Sequence, residues 1–139
     1  MTKKILSALP HYDGEKNFST DTKGVESMNA MPNLEIICSR VANCYKKIYG
    51  NKIQGIYLYG SYARGDFDEE SDIDFTAIVE GDQVELRKKR RENRDDLTDI
   101  ELDYDVVISF GVIPADLFEK HKNFLAYYKN ILREGKRIG

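Results

Sequence analysis

Two aspartates, Asp72 and Asp74, are separated by one residue and follow the pair Gly60-Ser61 after ten intervening residues. Residues two apart on a β-strand project from one face, roughly 6–7 Å apart along it. Carboxylates at that spacing can share a divalent cation such as Mg²⁺. Gly60 lets the backbone come close to a phosphate, Ser61 adds a hydroxyl, and Arg64 supplies a guanidinium that matches phosphate geometry. The segment therefore predicts a phosphate-binding turn followed by a metal-binding carboxylate pair.

A third carboxylate on a neighbouring strand would complete a site for two metal ions. Asp105 precedes the apolar run Val106-Val107-Ile108, which we interpret as part of a strand from Tyr104 to Phe110. Asp103, two residues earlier on the same face, is the alternative, and Glu101 is a weaker one. The predicted metal-binding and catalytic residues are therefore Asp72, Asp74 and Asp105.

These groups suffice for transfer of a nucleotide. In this hypothesis Mg²⁺ links the triphosphate to the aspartate pair, and Asp105 positions or deprotonates an acceptor hydroxyl that attacks the α-phosphorus and expels pyrophosphate.

The alternative interpretation of the same segment is a glycine hairpin with an acidic tip. The acidic residues between the two motifs are Asp66, Asp68, Glu69 and Glu70. We expect them to form a solvated loop, with which Arg64 pairs as readily as with a phosphate.

The elements that position these residues follow from hydrophobic periodicity. Apolar residues three and four apart predict a first helix, closed by Gly50, at Leu34, Ile37, Val41, Cys44 and Ile48. Strands are predicted at Ile53 to Tyr59 and at Asp72 to Val79. Asp82 caps a largely polar helix over roughly 83–97. The pattern favours an α/β fold with a small mixed sheet flanked by helices.

The C-terminal part of the chain is predicted to be helical. Pro114 is expected to be the first residue of a short helix. An apolar last helix begins near Phe124 and stops at Gly135. Its aromatic residues, Tyr127 and Tyr128, are expected to belong to the core or to an interface.

Composition narrows the class of protein. The 139 residues suit one domain, in which residues 1–30 lack sustained periodicity and are predicted to be an N-terminal extension of unknown role. A net charge of −3 disfavours direct nucleic-acid binding, and the basic run Arg87–Arg91 is expected to be a solvated helix face. No apolar run approaches the ~20 residues of a membrane helix. Cys38 and Cys44 cannot bridge on one helix, so a cytoplasmic location is expected.

Residues 31–139 resemble the minimal nucleotidyltransferases of the DNA-polymerase-β-like superfamily. The family pattern is Gly-Ser, ten further residues, and Asp-x-Asp, and this chain matches it with Gly60-Ser61 and Asp72-Ile73-Asp74. The segment from Tyr104 to Ile108 is similar to the strand that carries the family's third carboxylate. Phe75 departs mildly from the usual aliphatic residue. The resemblance implies a polymerase-β-like fold that uses ATP and Mg²⁺.

The resemblance also implies a partner. Minimal members are commonly antitoxins paired with a helical HEPN-type ribonuclease toxin, and some transfer AMP from ATP to a tyrosine of that toxin. The chain has no room for a substrate domain, so the acceptor is expected to come with a partner protein. Two alternatives stay open: an antitoxin that acts by binding alone, and transfer to a small molecule or an RNA end with a second subunit supplying the substrate site.

Overall fold

The computed structural model describes residues 32–139. The predicted extension, residues 1–30, lies outside the described residues, and its separate role stays a prediction. The described chain forms a four-stranded mixed sheet with helices on both faces, which confirms the predicted α/β class.

Ten helices and strands follow one another along the described chain. In order, they are α1 (Leu34–Tyr49), β1 (Ile53–Tyr59), α2 (Ser61–Arg64), β2 (Ile73–Val79), α3 (Gln83–Glu92), α4 (Asp95–Tyr104), β3 (Ile108–Pro114), α5 (Ala115–His121), α6 (Ala126–Glu134) and β4 (Lys136–Arg137). A 3-10 turn, Gly50–Lys52, joins α1 to β1.

The strand order is β3-β2-β1-β4, in which β1 and β2 are antiparallel and β2 and β3 are parallel. Tyr59, the last residue of β1, is the Cα partner of Asp74, and Asp74 is the Cα partner of Ser109 in β3. The end of β1 and the beginnings of β2 and β3 therefore meet at one end of the sheet, and we call this end the edge of the sheet that holds the site. That edge carries both motifs predicted from the sequence.

Strand β2 is buried on both faces. The side chains of one face pack into the main core with α1 and α4, and they are Ile73, Phe75, Ala77 and Val79. On the other face, Ile78 packs with Phe118 of α5 and Ile131 of α6. Because Asp74 belongs to this second face, it points toward the layer that contains α6.

Helix α1 has the predicted start and end. Its fully buried residues Ile37, Val41 and Tyr45 pack against the sheet. The Tyr45 ring stacks on Phe110 with centroids 4.0 Å apart, and its hydroxyl donates to the Gly111 carbonyl at 2.7 Å. This helix therefore holds β3 in its register.

The predicted helix over 83–97 is wrong in its second half. Asp82 caps α3 as predicted, with its carboxylate accepting from the backbone N–H groups of Val84 and Glu85. The helix ends at Glu92, and a separate helix, α4, begins at Asp95. The reason is tertiary: α4 buries Leu97 and Ile100 in the main core.

The predicted third strand, Tyr104 to Phe110, is also wrong in its first half. Tyr104 ends α4, and Asp105 takes a left-handed conformation with φ 53° and ψ 53° at the helix C-terminus. The strand runs from Ile108 to Pro114, so Pro114 ends β3 instead of opening the next helix. Helix α6 likewise begins at Ala126, two residues after Phe124, and is followed by Gly135 as predicted.

Candidate active site

The turn after β1 lies against the second aspartate. Gly60 has φ 75° and ψ −155°, a conformation that is essentially restricted to glycine. A Cβ atom at Gly60 would collide with Oδ2 of Asp74, so the Gly60 backbone and the Asp74 carboxylate are in direct contact. The structure therefore brings the predicted phosphate-binding turn and the predicted carboxylate pair together.

Asp72 and Asp74 differ in their surroundings. Asp72 is exposed just before β2, whereas Asp74 is half-buried within the strand. Burial is the largest cause of a raised pKa at Asp74, the negative charge of Asp72 adds to the rise, and Arg64 opposes it. A bound cation would relieve this repulsion.

The pair of carboxylates fits one magnesium ion in its chemistry. Mg²⁺ prefers oxygen ligands and is often held by one or two carboxylates together with substrate phosphates and water. Asp72 and Asp74 supply two such ligands beside a turn that a phosphate can approach. Asp72 and Asp74 therefore suit a cation that is held jointly by the protein and by the phosphates of a nucleotide.

Ser61 begins the four-residue helix α2. The backbone N–H groups of Ala63 and Arg64 donate to the Gly60 carbonyl, each at 3.1 Å. Behind the turn, Tyr62 stacks on Phe67 with ring centroids 4.1 Å apart. Burial raises the pKa of Tyr62, and Asp68 and Asp72 raise it further. This aromatic pair therefore lies near Asp72.

The acidic loop between the motifs is solvated, as expected. Its four carboxylate residues are exposed. Asp68 has a local role: Oδ1 accepts from the Glu70 backbone N–H at 2.9 Å and from the Ser71 hydroxyl at 3.1 Å. These bonds close the turn that leads into β2.

Arg64 pairs with two carboxylates. Its Nε lies 3.1 Å from Oδ2 of Asp66, and an Nη atom lies 3.3 Å from Oε1 of Glu134 at the end of α6. The ion pair with the acidic loop, which the sequence left open, is therefore formed. Its predicted role in nucleotide binding stays a prediction.

Asp105 does not lie on the strand on which the sequence placed it. It is exposed at the end of α4, four residues before Ser109, the residue of β3 that pairs with Asp74. Within residues 32–139, no three or more His, Cys, Asp or Glu side chains are grouped so as to hold a metal. The role of Asp105 as the third carboxylate therefore stays a prediction.

The alternatives to Asp105 have structural roles. Asp103 lies on α4, where Oδ2 accepts from Arg40 of α1 at 2.7 Å. Glu101 accepts from the Ile108 backbone N–H at 2.8 Å, which satisfies the first residue of β3.

Sequence reasoning missed three hydroxyl residues beside Asp74. Tyr59 is its Cα partner on β1 and Ser109 its Cα partner on β3. The Tyr59 hydroxyl lies 3.2 Å from that of Tyr127 in α6 and within hydrogen-bonding reach of Ser109. Only the strand register reveals this grouping, because the residues are far apart in sequence.

A cavity of about 680 Å³ lies elsewhere, at the opposite end of the sheet. Gln54, Glu80 and Asp116 are among its lining residues. Because these residues lie at the start of β1 and beyond the ends of β2 and β3, the cavity is separate from the Gly60–Asp74 contact.

No helix among residues 32–139 is both long and apolar enough to cross a membrane.

Comparison with known proteins places these features in a family context. The profile described as "Nucleotidyltransferase domain" matches residues 38–138. A Methanocaldococcus jannaschii protein named "Putative protein adenylyltransferase" is 38% identical over 106 residues, which cover 75% of this chain and 96% of that protein. A second protein of the same organism and description is 37% identical over 62 residues, covering 45% of this chain and 61% of its own length.

One solved structure, described as "Crystal structure of the toxin-antitoxin with AMP-PNP", is similar with a TM-score of 0.46 at 18% identity. The match covers 73% of this chain and 72% of that chain. At this level the likeness carries no functional conclusion.

Proposed function

Because this chain belongs to the nucleotidyltransferase domain family, we propose that it is an Mg²⁺-dependent enzyme that transfers AMP from ATP to a hydroxyl of a partner protein. The observation that carries the proposal is the contact between the Gly60 backbone and the Asp74 carboxylate. It joins the turn that we predict to bind phosphate to the aspartate pair, at one end of the sheet. The names of the two similar proteins support adenylyl transfer to a protein.

In the proposed complex, the chain's own groups hold the nucleotide. Gly60 allows the triphosphate to approach the backbone, and Ser61 donates a hydrogen bond from its hydroxyl. Asp72 and Asp74 would hold Mg²⁺, which when bound neutralises phosphate charge. The acidic loop is exposed, so it leaves this edge accessible to a second molecule.

The transfer step exchanges one phosphorus–oxygen bond for another. The acceptor oxygen forms a bond to the α-phosphorus, and the bond from that phosphorus to the oxygen of the β-phosphate breaks. Pyrophosphate leaves with the electron pair, and the hydroxyl proton is released to water. The protein contributes by positioning the two reactants.

A partner has an apolar surface on which to dock close to this edge. Phe124 is 77% exposed, Leu125 is 45% exposed and Tyr127 is 41% exposed, although all three are apolar or aromatic. Clusters of exposed apolar side chains often mark interaction sites. Since the Tyr127 hydroxyl contacts that of Tyr59, the surface adjoins the site. A protein bound here would present a hydroxyl near the nucleotide.

The finer form of the proposal is that the partner is a HEPN-type toxin and that this chain is its antitoxin. The support is the resemblance of residues 31–139 to minimal nucleotidyltransferases. A gene for a short helical protein with an Arg-x4–6-His motif next to the gene for this chain would supply the candidate acceptor.

Transfer is tested with two labelled nucleotides. The protein is incubated with Mg²⁺, the candidate partner and ATP labelled at either the α- or the γ-phosphate. Label from the α position alone should appear in the partner. Asp74→Asn should reduce it more than about 100-fold, because the metal ligands contribute several kcal/mol to the transition state. Asp99→Asn, an exposed carboxylate on α4, is the matched control.

Other outcomes identify the alternatives. Label in RNA or in a small molecule would replace the protein acceptor, and label from the γ position would indicate a kinase. If the Asp72→Asn protein transfers no label in vitro but still protects cells fully from the partner, binding alone explains the protection.

A further inference from the structure

Ser109 occupies the position beside Asp74 where the sequence predicted a carboxylate. Parallel pairing of β2 and β3 makes the two residues Cα partners. Ile108 and Phe110, on either side, are 5% exposed and pack into the main core on the opposite face. Ser109 therefore points to the same face as Asp74, on a strand about 4.8 Å away.

A second observation ties Ser109 to the site. The Tyr59 hydroxyl comes within hydrogen-bonding reach of Ser109, although β1 and β3 lie on opposite sides of β2. The Tyr59 side chain must therefore cross β2 on the face of Asp74. Tyr59 and Ser109 are the Cα partners of Asp74 on its two neighbouring strands, so Asp74 lies between two hydroxyl residues.

The register of β3 keeps Asp105 out of this position. Asp105 would have to advance by four residues to pair with Asp74. Such a slip would separate Phe110 from its Cα partner Phe75 and break its stacking on Tyr45, 4.0 Å away. These contacts are buried in the main core, so the slip is disfavoured.

We propose that Ser109 completes the site in place of a third carboxylate, as a neutral hydrogen-bonding residue that positions the reacting groups, and that the protein holds one divalent cation instead of two. The inference rests on the proposed nucleotidyl transfer and specifies its site. With Asp72 and Asp74 as the only protein carboxylates, a second cation would have no carboxylate of its own and would have to share those that hold the first.

The number of cations is measured directly. Each variant is saturated with α,β-methylene-ATP, which cannot release pyrophosphate, and titrated with Mn²⁺ while electron paramagnetic resonance reports free Mn²⁺. One ion per chain is expected for the unaltered protein and for Asp105→Asn, and a second ion for Ser109→Asp. Asn is chosen at Asp105 because it tolerates the left-handed conformation. Two ions in the unaltered protein, with one lost in Asp105→Asn, would overturn the proposal.

The role of the hydroxyl is measured by a pair of substitutions. Ser109→Ala should lower kcat about tenfold, the effect of losing one hydrogen bond, with little change in KM for ATP. Ser109→Thr keeps the hydroxyl and should restore most of kcat. Equal melting temperatures would show that folding is unaffected. If kcat is unchanged in Ser109→Ala, Ser109 is not a positioning residue. This pair remains informative if Ser109→Asp fails to fold.

Failure of the wider proposal has a different signature. If the unaltered protein binds neither Mn²⁺ nor the nucleotide analogue and transfers no label, nucleotidyl transfer and this inference fail together. If binding and transfer occur but depend on Asp105 for a second ion, only the assignment of Ser109 fails.

Discussion

The Asp74 carboxylate lies directly against the backbone of Gly60, the residue that opens the turn after β1. Asp74 is also the Cα partner of Tyr59, so the contact follows from the antiparallel pairing of β1 and β2. The two halves of the sequence motif are therefore joined by the sheet itself.

We predict that Gly60→Ala destabilises the protein and abolishes nucleotide binding. A Cβ atom at this position meets Oδ2 of Asp74, and the glycine-restricted conformation costs about 1–3 kcal/mol in any other residue. Gly50→Ala is the matched control, because Gly50 has φ 61° and nothing within 4 Å of the added atom. Urea unfolding should show a larger loss at Gly60 than at Gly50. Equal losses, with nucleotide binding intact in both, would contradict the contact.

We predict that Asp74→Asn stabilises the metal-free protein at neutral pH. Burial first, and then the charge of Asp72, raises the pKa of Asp74 in the folded state. The folded protein thus disfavours the ionised carboxylate, and its stability falls as pH rises through the window between the unfolded pKa, about 3.9, and the higher folded pKa. The gain from Asn should be present above this window and vanish below it.

The measurement is urea unfolding in EDTA between pH 3 and pH 8. A gain below about 1 kcal/mol is expected, because Asp74 is partly exposed and solvent screens the repulsion. Asp99→Asn, which changes an exposed carboxylate on α4, is measured alongside as the control. A destabilised Asp74→Asn protein at neutral pH would show that the carboxylate makes favourable contacts in the absence of metal.

The strands that carry the motif could be predicted because their signals are local. Ile53 to Tyr59 is a β-branched and aromatic run between turn residues, and the structure has those same bounds. Gly60 and Asp74 are likewise brought together by the pairing of consecutive strands. The turn and the carboxylate pair of the site were thus accessible from the sequence.

The boundaries of β3 and α4 could not be predicted in the same way, because they depend on contacts between residues that are distant in sequence. Val106 and Val107 have high β-propensity, yet β3 begins at Ile108, where its pairing with β2 starts. At this boundary the Val107 carbonyl accepts a hydrogen bond from the Ile73 backbone N–H at 2.9 Å. Leu97 and Ile100 form a helix because they pack into the main core. The misplaced start of the strand put Asp105 on β3, and the register that makes Ser109 the Cα partner of Asp74 could not be read from the sequence.

We predict that Asp103→Asn leaves nucleotidyl transfer unchanged and slightly lowers stability. Asp103 pairs with Arg40 at 2.7 Å, and the side chains are 55% and 36% exposed. Partly exposed ion pairs contribute roughly 0.2–1 kcal/mol. A double-mutant cycle with Arg40→Met in urea should give a coupling in that range. Loss of transfer in a folded Asp103→Asn protein would contradict this prediction and would show that Asp103 is a residue of the active site.

We predict that Glu134→Gln strengthens nucleotide binding and that Arg64→Ala weakens it. The Arg64 guanidinium is held between Asp66 and Glu134, so a phosphate must compete with these carboxylates. Removing the charge of Glu134 makes the guanidinium more available, whereas Arg64→Ala should raise Kd about fivefold, equivalent to roughly 1 kcal/mol for a screened contact.

Calorimetry with Mg²⁺ and α,β-methylene-ATP at two salt concentrations separates the roles of Arg64. Higher salt should reduce both effects, since partly exposed charges are screened. The double variant should bind like Arg64→Ala, because the benefit of Glu134→Gln requires the guanidinium. If Arg64→Ala instead leaves Kd unchanged and lowers the melting temperature, Arg64 serves to hold the end of α6 to α2. The phosphate-binding group would then consist of Gly60 and Ser61 without a cationic side chain.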